Sequence, residues 1–151
     1  EIDSIARELA PAALLALGRA IGRSAGEAVA AQLGGTQGVA ASSLEAVTHH
    51  LALELGLRGL GMLAVERWGR ALVLALEDPA LGYDDLNALV LQGALSIATD
   101  RVVTCLSLGR EGNHLRVLVA SARTVARARG MLAAGLAWGD VLVRLHAGGD
   151  A

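Results

Sequence analysis

The stretch Asp84–Thr99, DDLNALVLQGALSIAT, carries apolar residues all around a helix and decides how the rest of the chain must be arranged. Recurrence at three- and four-residue spacing predicts a helix, opened by the acidic pair Asp84 and Asp85. Two apolar sets lie on opposite faces of it: Leu86, Leu89, Val90, Gly93 and Ile97 on one, and Ala88, Leu91, Leu95 and Ala98 on the other. A helix that is apolar on both sides is normally buried on both sides. One sheet can cover only one face, so either the first helix or a second subunit must cover the other.

Two predicted β-hairpins flank this helix. Apolar runs bounded by turn residues predict the first pair of strands, at 62–68 and 71–76 around Gly69-Arg70. The second pair is predicted at 102–108 and 115–120, with the turn at 109–113. We expect Gly93 to lie where the helix meets the sheet formed by these strands.

Before and after the two hairpins, apolar residues at helical spacing predict helices at both ends of the chain. The first runs to about Leu33 and is opened or kinked by Pro11, and the loop 34–43 after it is expected to be flexible. Ser42 and Glu45 read as a capping box for a second helix, Ser121 caps a fourth, and 137–146 favours one more. The order α-α-β-β-α-β-β-α predicts an α+β fold with a four-stranded antiparallel sheet of two hairpins. We treat 1–151 as a single domain, with 137–151 as a C-terminal extension.

The first helix contains three glycines at four-residue spacing: Gly18, Gly22 and Gly26. A glycine inside a helix costs about 1 kcal/mol relative to alanine, so close packing should offset the run. Together with Leu91 and Leu95, these glycines are the predicted packing or interface residues. We therefore expect a homodimer, or a subunit bound to another protein.

Composition narrows the function classes. Hydrophobic residues make up 54% of the chain, which argues against disorder, and the net charge of −2 argues against nucleic acid. All basic residues are arginine, as expected from a GC-rich, presumed bacterial genome. The uncharged run 9–18 is too short to span a bilayer. We expect a cytoplasmic protein without a membrane span.

Candidate chemical groups have ordinary structural interpretations. His49 and His50 are adjacent and point about 100° apart on a helix, which does not suit one metal ion unless folding brings His114 close. Cys105 stands alone in an apolar strand, as buried cysteines do. In the fourth helix, Arg123 and Arg127 share the outward face and Arg129 flanks the core stripe; this basic patch suits solvent or an acidic partner surface. We predict no catalytic residues, no metal and no cofactor.

Several short motifs resemble a known superfamily. These are the hairpin GLGMLAVERWG at 59–69, the strand exit Glu77-Asp78-Pro79, the helix containing Gly93 and the second hairpin. Over residues 1–135 the chain resembles the vinyl-reductase-type ligand-binding domains, whose plan the vesicle-tethering TRAPP subunits share. The resemblance implies a dimer, and a small hydrophobic molecule held between helices and sheet. The chain lacks the C-terminal cysteine pair of many such domains, so the resemblance does not lead us to expect metal binding.

The expected function is a non-catalytic dimeric interaction or scaffold domain that could also hold an apolar small molecule. The predicted ligand cavity is at Gly93, Val90 and Ile97. Residues 43–136 also resemble the roadblock fold of small-GTPase regulators, although we count one strand too few and one long helix too many. An apolar cavity would favour the first resemblance, and a sheet continuous across two subunits would favour the second. A cryptic enzyme is the third alternative.

Overall fold

A computed structural model describes residues 1–148 and confirms the α+β class and the predicted order of elements. The elements, numbered along the chain, are α1 (Ile2–Glu8), α2 (Pro11–Gln32), α3 (Gly35–Ala41), α4 (Leu44–Leu57), β1 (Met62–Trp68), β2 (Ala71–Glu77), α5 (Asp84–Thr99), β3 (Thr104–Glu111), β4 (His114–Ala120), α6 (Ala122–Ala133) and α7 (Trp138–Ala147).

The four strands form one antiparallel sheet in the order β1-β2-β4-β3. Each hairpin pairs internally, and β2 joins the hairpins by pairing with β4, so that Leu74 lies opposite Val117. The first and third strands in the chain, β1 and β3, are therefore the two edges of the sheet.

Helices cover both faces of the sheet. On the inner face, α4 packs over β1 and α5 over β3, and α2 lies across α5 and α4. Leu51, Leu74, Leu91 and Val117 are among the fully buried residues of this inner core. On the outer face, α6 and α7 form a second core, in which Val125, Val141 and Leu145 pack against Val73, Leu106 and Leu118.

The glycines of α2 contact α5 within the same chain. A methyl group built on Gly18 would lie 2.5 Å from Cβ of Leu89, and one on Gly26 would lie 2.5 Å from the carbonyl oxygen of Ala94. Such distances are too short for real side chains, so glycine is what allows the two helices to approach so closely. The prediction of a close helix contact at these positions is confirmed.

Helix α2 covers the outward face of α5, so α5 needs no second subunit to bury it. Leu86 and Val90 pack with Leu14, Leu17 and Ile21 of α2, whereas Leu91 and Leu95 lie in the inner core. Both leucines are almost fully buried within one chain. The two features from which we predicted a dimer are thus satisfied inside the monomer, and any dimer must rest on another surface.

Four local predictions were wrong in detail. The first helix is divided at Leu9–Ala10 and is not continuous, although Pro11 opens the second part, which is one of the two roles predicted for it. Residues predicted as a flexible loop contain α3. The cap of α4 is Ser43, which accepts a hydrogen bond from the Ala46 N–H, while Ser42 donates to the Gly38 carbonyl. The turn of the second hairpin is confined to Gly112 and Asn113, because β3 continues to Glu111.

The C-terminal segment is part of the fold over its described length. It forms α7, whose Val141, Leu142 and Leu145 are buried in the outer core. The favoured helix is thereby confirmed, while residues 149–151 of the predicted extension lie outside the described residues. Within residues 1–148, none of the helices is long and apolar enough to cross a bilayer.

Candidate interaction site

The residues of the predicted ligand cavity, Gly93, Val90 and Ile97, lie at the contact between α5 and α2, and Gly93 also lines an adjoining cavity of about 360 Å³ beside Leu15 and Arg19. Gly93 faces α2, where a methyl group on it would lie 2.7 Å from Cα of Arg19. Val90 and Ile97 face the glycines Gly22 and Gly26 of the same helix. The expectation that Gly93 meets the sheet was therefore wrong, because the other face of α5 is turned to the strands. The missing side chain permits a close backbone approach.

The edge strand β3 is protected against pairing with another strand. The side-chain oxygen of Gln92 accepts the backbone N–H of Cys105 at 2.9 Å, which occupies a group that an added strand would need. The register of β3 shifts between Ser107 and Gly109, as in a β-bulge. Arg110 is tied to Asp84 and to the Leu81 carbonyl, at 2.7 Å and 3.0 Å. Bulges and covering side chains are common ways of preventing edge-to-edge association.

The edge strand β1 lacks these features. Its seven residues pair with β2 in unbroken register, without a bulge or a proline. Three large apolar side chains on it are exposed: Met62 at 58%, Val65 at 40% and Trp68 at 42%. An exposed, regular, apolar edge is a template on which another strand can pair.

A network of polar and aromatic side chains holds the outer face of β1 in place. Glu66 accepts hydrogen bonds from the Trp68 indole at 3.2 Å and from Arg116 at 3.1 Å. The Arg116 guanidinium lies 4.4 Å from the centre of the Trp138 ring, and the two tryptophan rings meet edge to face at 5.2 Å. On β2, Glu66 lies opposite Val73 and Arg116 lies opposite the buried Ala75, so the carboxylate and the guanidinium meet diagonally across the strand.

The network determines the charge state of its carboxylates. Burial acts to raise the pKa of Glu66, but the hydrogen bonds from Trp68, Arg116 and His114 outweigh it and leave the pKa below its ordinary value. Hydrogen bonds from Trp138 and Arg116 likewise lower the pKa of Glu111. Both groups are therefore ionised at neutral pH, and Glu66 fixes the Trp68 indole beside the open edge.

On the inner face, an apolar groove of about 310 Å³ opens between α3, the start of α4 and the end of α5. Val47, Leu74, Leu95 and Val119 contribute to its walls, and Arg101 adds a positive charge to its lining. Gly93 does not line this groove, which is one of the spaces between helices and sheet.

The remaining candidate groups are the histidines, Cys105 and the arginines of α6. The His50 ring lies 2.8 Å from the Gln32 side chain, whereas His114 lies on β4 beside Glu66 and Glu77. Cys105 is buried, which raises the pKa of its thiol to about 12. Within residues 1–148, no three His, Cys, Asp or Glu side chains are grouped closely enough to hold a metal ion. In α6, Arg123 and Arg129 are exposed, whereas Arg127, predicted on the outward face, is half-buried.

Sequence reasoning missed the β1 edge, the tryptophan–arginine network and the groove. The signal for the first was present, since Met62, Val65 and Trp68 recur at three-residue spacing and cannot all share one face of a strand. Comparison with known proteins adds no family: no family model matches the chain, and no curated protein matches it significantly.

Proposed function

We propose that this chain is a non-catalytic interaction domain that forms a homodimer through the open edge of β1. The observation that carries the proposal is the contrast between the two edges of one sheet. The β3 edge is occupied by Gln92, interrupted by a bulge and tied down by Arg110. The β1 edge is regular and exposes three large apolar side chains.

A protein with an unprotected apolar edge associates either specifically or by aggregation. Specific pairing is the better account here, because Glu66 and Arg67 place charges on the same strand. Arg67 also contacts Glu45 of α4 at 3.0 Å, in a solvent-exposed ion pair. A second copy of the chain has the same open edge. The two edges can therefore pair with each other, and no other protein is needed.

Two matched valine variants test this proposal. Val65→Lys places a charge in the middle of the open edge, and Val102→Lys makes the same change at a side chain that is 97% exposed elsewhere. We expect sedimentation at about 10 μM, in the concentration range where such assembly is ordinarily measured, to show a dimer for the wild type and Val102→Lys and a monomer for Val65→Lys. Circular dichroism should show that all three are folded.

A monomeric wild type would overturn the proposal, and so would a folded Val65→Lys variant that still sediments as a dimer. A sheet that continues across two subunits would also favour the roadblock-like regulator, which is the alternative interpretation of such a dimer. Residues 1–148 contain four strands, one fewer than that fold has, and we therefore place it second. Catalysis ranks third, because burial keeps the Cys105 thiol protonated and His114 sits among carboxylates that fix it.

A second candidate function, the binding of a small apolar molecule, is favoured by the groove beside Val119. Its walls are apolar, and Arg101 would suit a ligand with an anionic group. Val103→Trp should fill the groove, and Val102→Trp puts the same side chain next to it without lining it. We expect an anionic naphthalene dye to fluoresce with the wild type and Val102→Trp, but not with Val103→Trp. Equal fluorescence for both variants would exclude the groove as the binding site.

A further inference from the structure

We propose that β1 pairs with β1 of the second copy in one antiparallel register, with a two-fold axis through Val65. This inference rests on the proposed dimer and adds the alignment of its strands. The sheet then continues from one subunit into the other, with α4 of both copies on the same side of it.

The backbone groups of Val65 point toward the open edge. Trp68 and Ala71 close a two-residue hairpin loop, and residues in this position exchange hydrogen bonds with each other. Because direction alternates along a strand, Trp68, Glu66 and Ala64 bond to β2. The N–H and C=O groups of Leu63, Val65 and Arg67 are then directed outward, where a second strand can bond to them.

When the two-fold axis passes through Val65, every residue of β1 lies opposite a residue of the second β1. Met62 then lies opposite Trp68 of the second copy, Leu63 opposite Arg67, Ala64 opposite Glu66, and Val65 opposite itself. All seven residues of β1 obtain a partner: on one face Met62 meets Trp68 of the second copy, and on the other face Val65 meets its own counterpart. A methionine beside an indole is a favourable contact, and Trp68 is already held by Glu66 and Trp138.

Neighbouring registers are worse for identifiable reasons. Centring on Glu66 places two carboxylates directly opposite each other, and centring on Arg67 does the same with two guanidinium groups, which destabilises a pair of strands. Centring on Ala64 leaves Trp68 opposite Leu60, outside β1, and Arg67 opposite Gly61. Only the register centred on Val65 avoids both like-charge pairs and an unpaired tryptophan.

Single cysteines distinguish these registers by disulfide formation. Opposed residues have α-carbons about 5 Å apart, within disulfide range, whereas diagonal residues are roughly 7–8 Å apart. We expect Val65→Cys to form a disulfide-linked dimer under mild oxidation, and Ala64→Cys and Glu66→Cys to do so at least about tenfold more slowly. The double variant Ala64→Cys/Glu66→Cys should cross-link, since these positions face each other. The wild type, whose Cys105 is buried, is the control for background reaction.

Sedimentation of the same proteins under reducing conditions separates the two proposals. A monomer overturns both the dimer and its register. A dimer in which Ala64→Cys or Glu66→Cys cross-links faster than Val65→Cys overturns the register and keeps the β1 interface. A dimer in which no variant cross-links overturns β1 as the interface. A dimer with fast cross-linking at Val65→Cys and in the double variant supports the register.

Discussion

Gly22 of α2 lies directly against Ala94 of α5, so closely that a methyl group built on Gly22 would stand 2.8 Å from the Ala94 backbone nitrogen. The two helices touch backbone to backbone at this point, and Gly18, Gly26 and Gly93 extend the contact in both directions. This contact seals the outward face of α5 and makes α2 part of the core. The glycine run therefore serves the fold of the monomer.

We predict that Gly22→Ala destabilises the protein although alanine favours helices. The propensity gain is about 1 kcal/mol, whereas overpacking against rigid backbone costs typically 1–3 kcal/mol. Gly130→Ala in α6 is the matched control, because an added methyl group there meets nothing within 4 Å. Thermal melts should show a lower midpoint for Gly22→Ala and a rise of about 2–4 °C for Gly130→Ala. A higher midpoint for both would mean that the α2–α5 contact is loose.

We predict that protonation of Glu66 weakens the fold in acid. Its pKa is lower in the folded state than its ordinary value of 4.5, so its contribution to stability is present above that value and is lost as the pH falls through the folded pKa. Urea unfolding between about pH 7 and pH 3 should show a smaller acid loss for Glu66→Gln than for the wild type. Glu8→Gln, on the exposed end of α1, should keep the wild-type profile. Equal slopes for wild type and Glu66→Gln would contradict the role of the network.

We predict that Cys105 resists alkylation in the native state. With a pKa of about 12, only about one thiol in ten thousand is ionised near pH 8, compared with about a quarter for an ordinary thiol. Iodoacetamide should therefore label the native protein at least about a thousandfold more slowly than the same chain in urea. Mass spectrometry over time measures both rates. Comparable rates would show that β3 opens readily or that the thiol is ionised.

We predict that Gln92→Leu frees the β3 edge. It removes the acceptor of the Cys105 N–H, a hydrogen bond whose loss should cost about 1 kcal/mol. Amide hydrogen exchange at Cys105 should become faster, and the variant should associate more at high concentration because a second edge is open. Gln37→Leu, an exposed position in α3, is the control. Unchanged exchange at Cys105 would indicate that another group protects this amide.

Much of the secondary structure could be predicted from local patterns. The alternation and turn residues around Gly69 predicted the first hairpin, and β1 has the predicted bounds of 62–68. Helical spacing and the acidic start at Asp84 predicted α5 over its observed length. These features depend on residues within a few positions of one another. The shift of the α4 cap from Ser42 to Ser43 shows the usual uncertainty of one residue where two similar side chains adjoin.

The candidate site could not be predicted in the same way. The sequence showed that α5 is apolar on both faces, but it did not show which face meets the strands, and Gly93 was therefore assigned to the wrong one. The network of Glu66, Arg116 and Trp138 joins residues that are far apart in the chain and that only the pairing of β1, β2 and β4 and the packing of α7 bring together.

The sequence alone was enough to locate the four strands, most of the helices and the need for close packing along the glycine run of α2. Local hydrogen bonding and side-chain periodicity, which act over a few residues, are sufficient for that. Tertiary packing was needed to show that α2 covers α5, that β2 pairs with β4, and that β1 is the open edge while Gln92 closes β3. These arrangements depend on residues far apart in the chain. The hydrophobic effect favours burial of any apolar surface, whereas close packing is possible only between surfaces of matching shape.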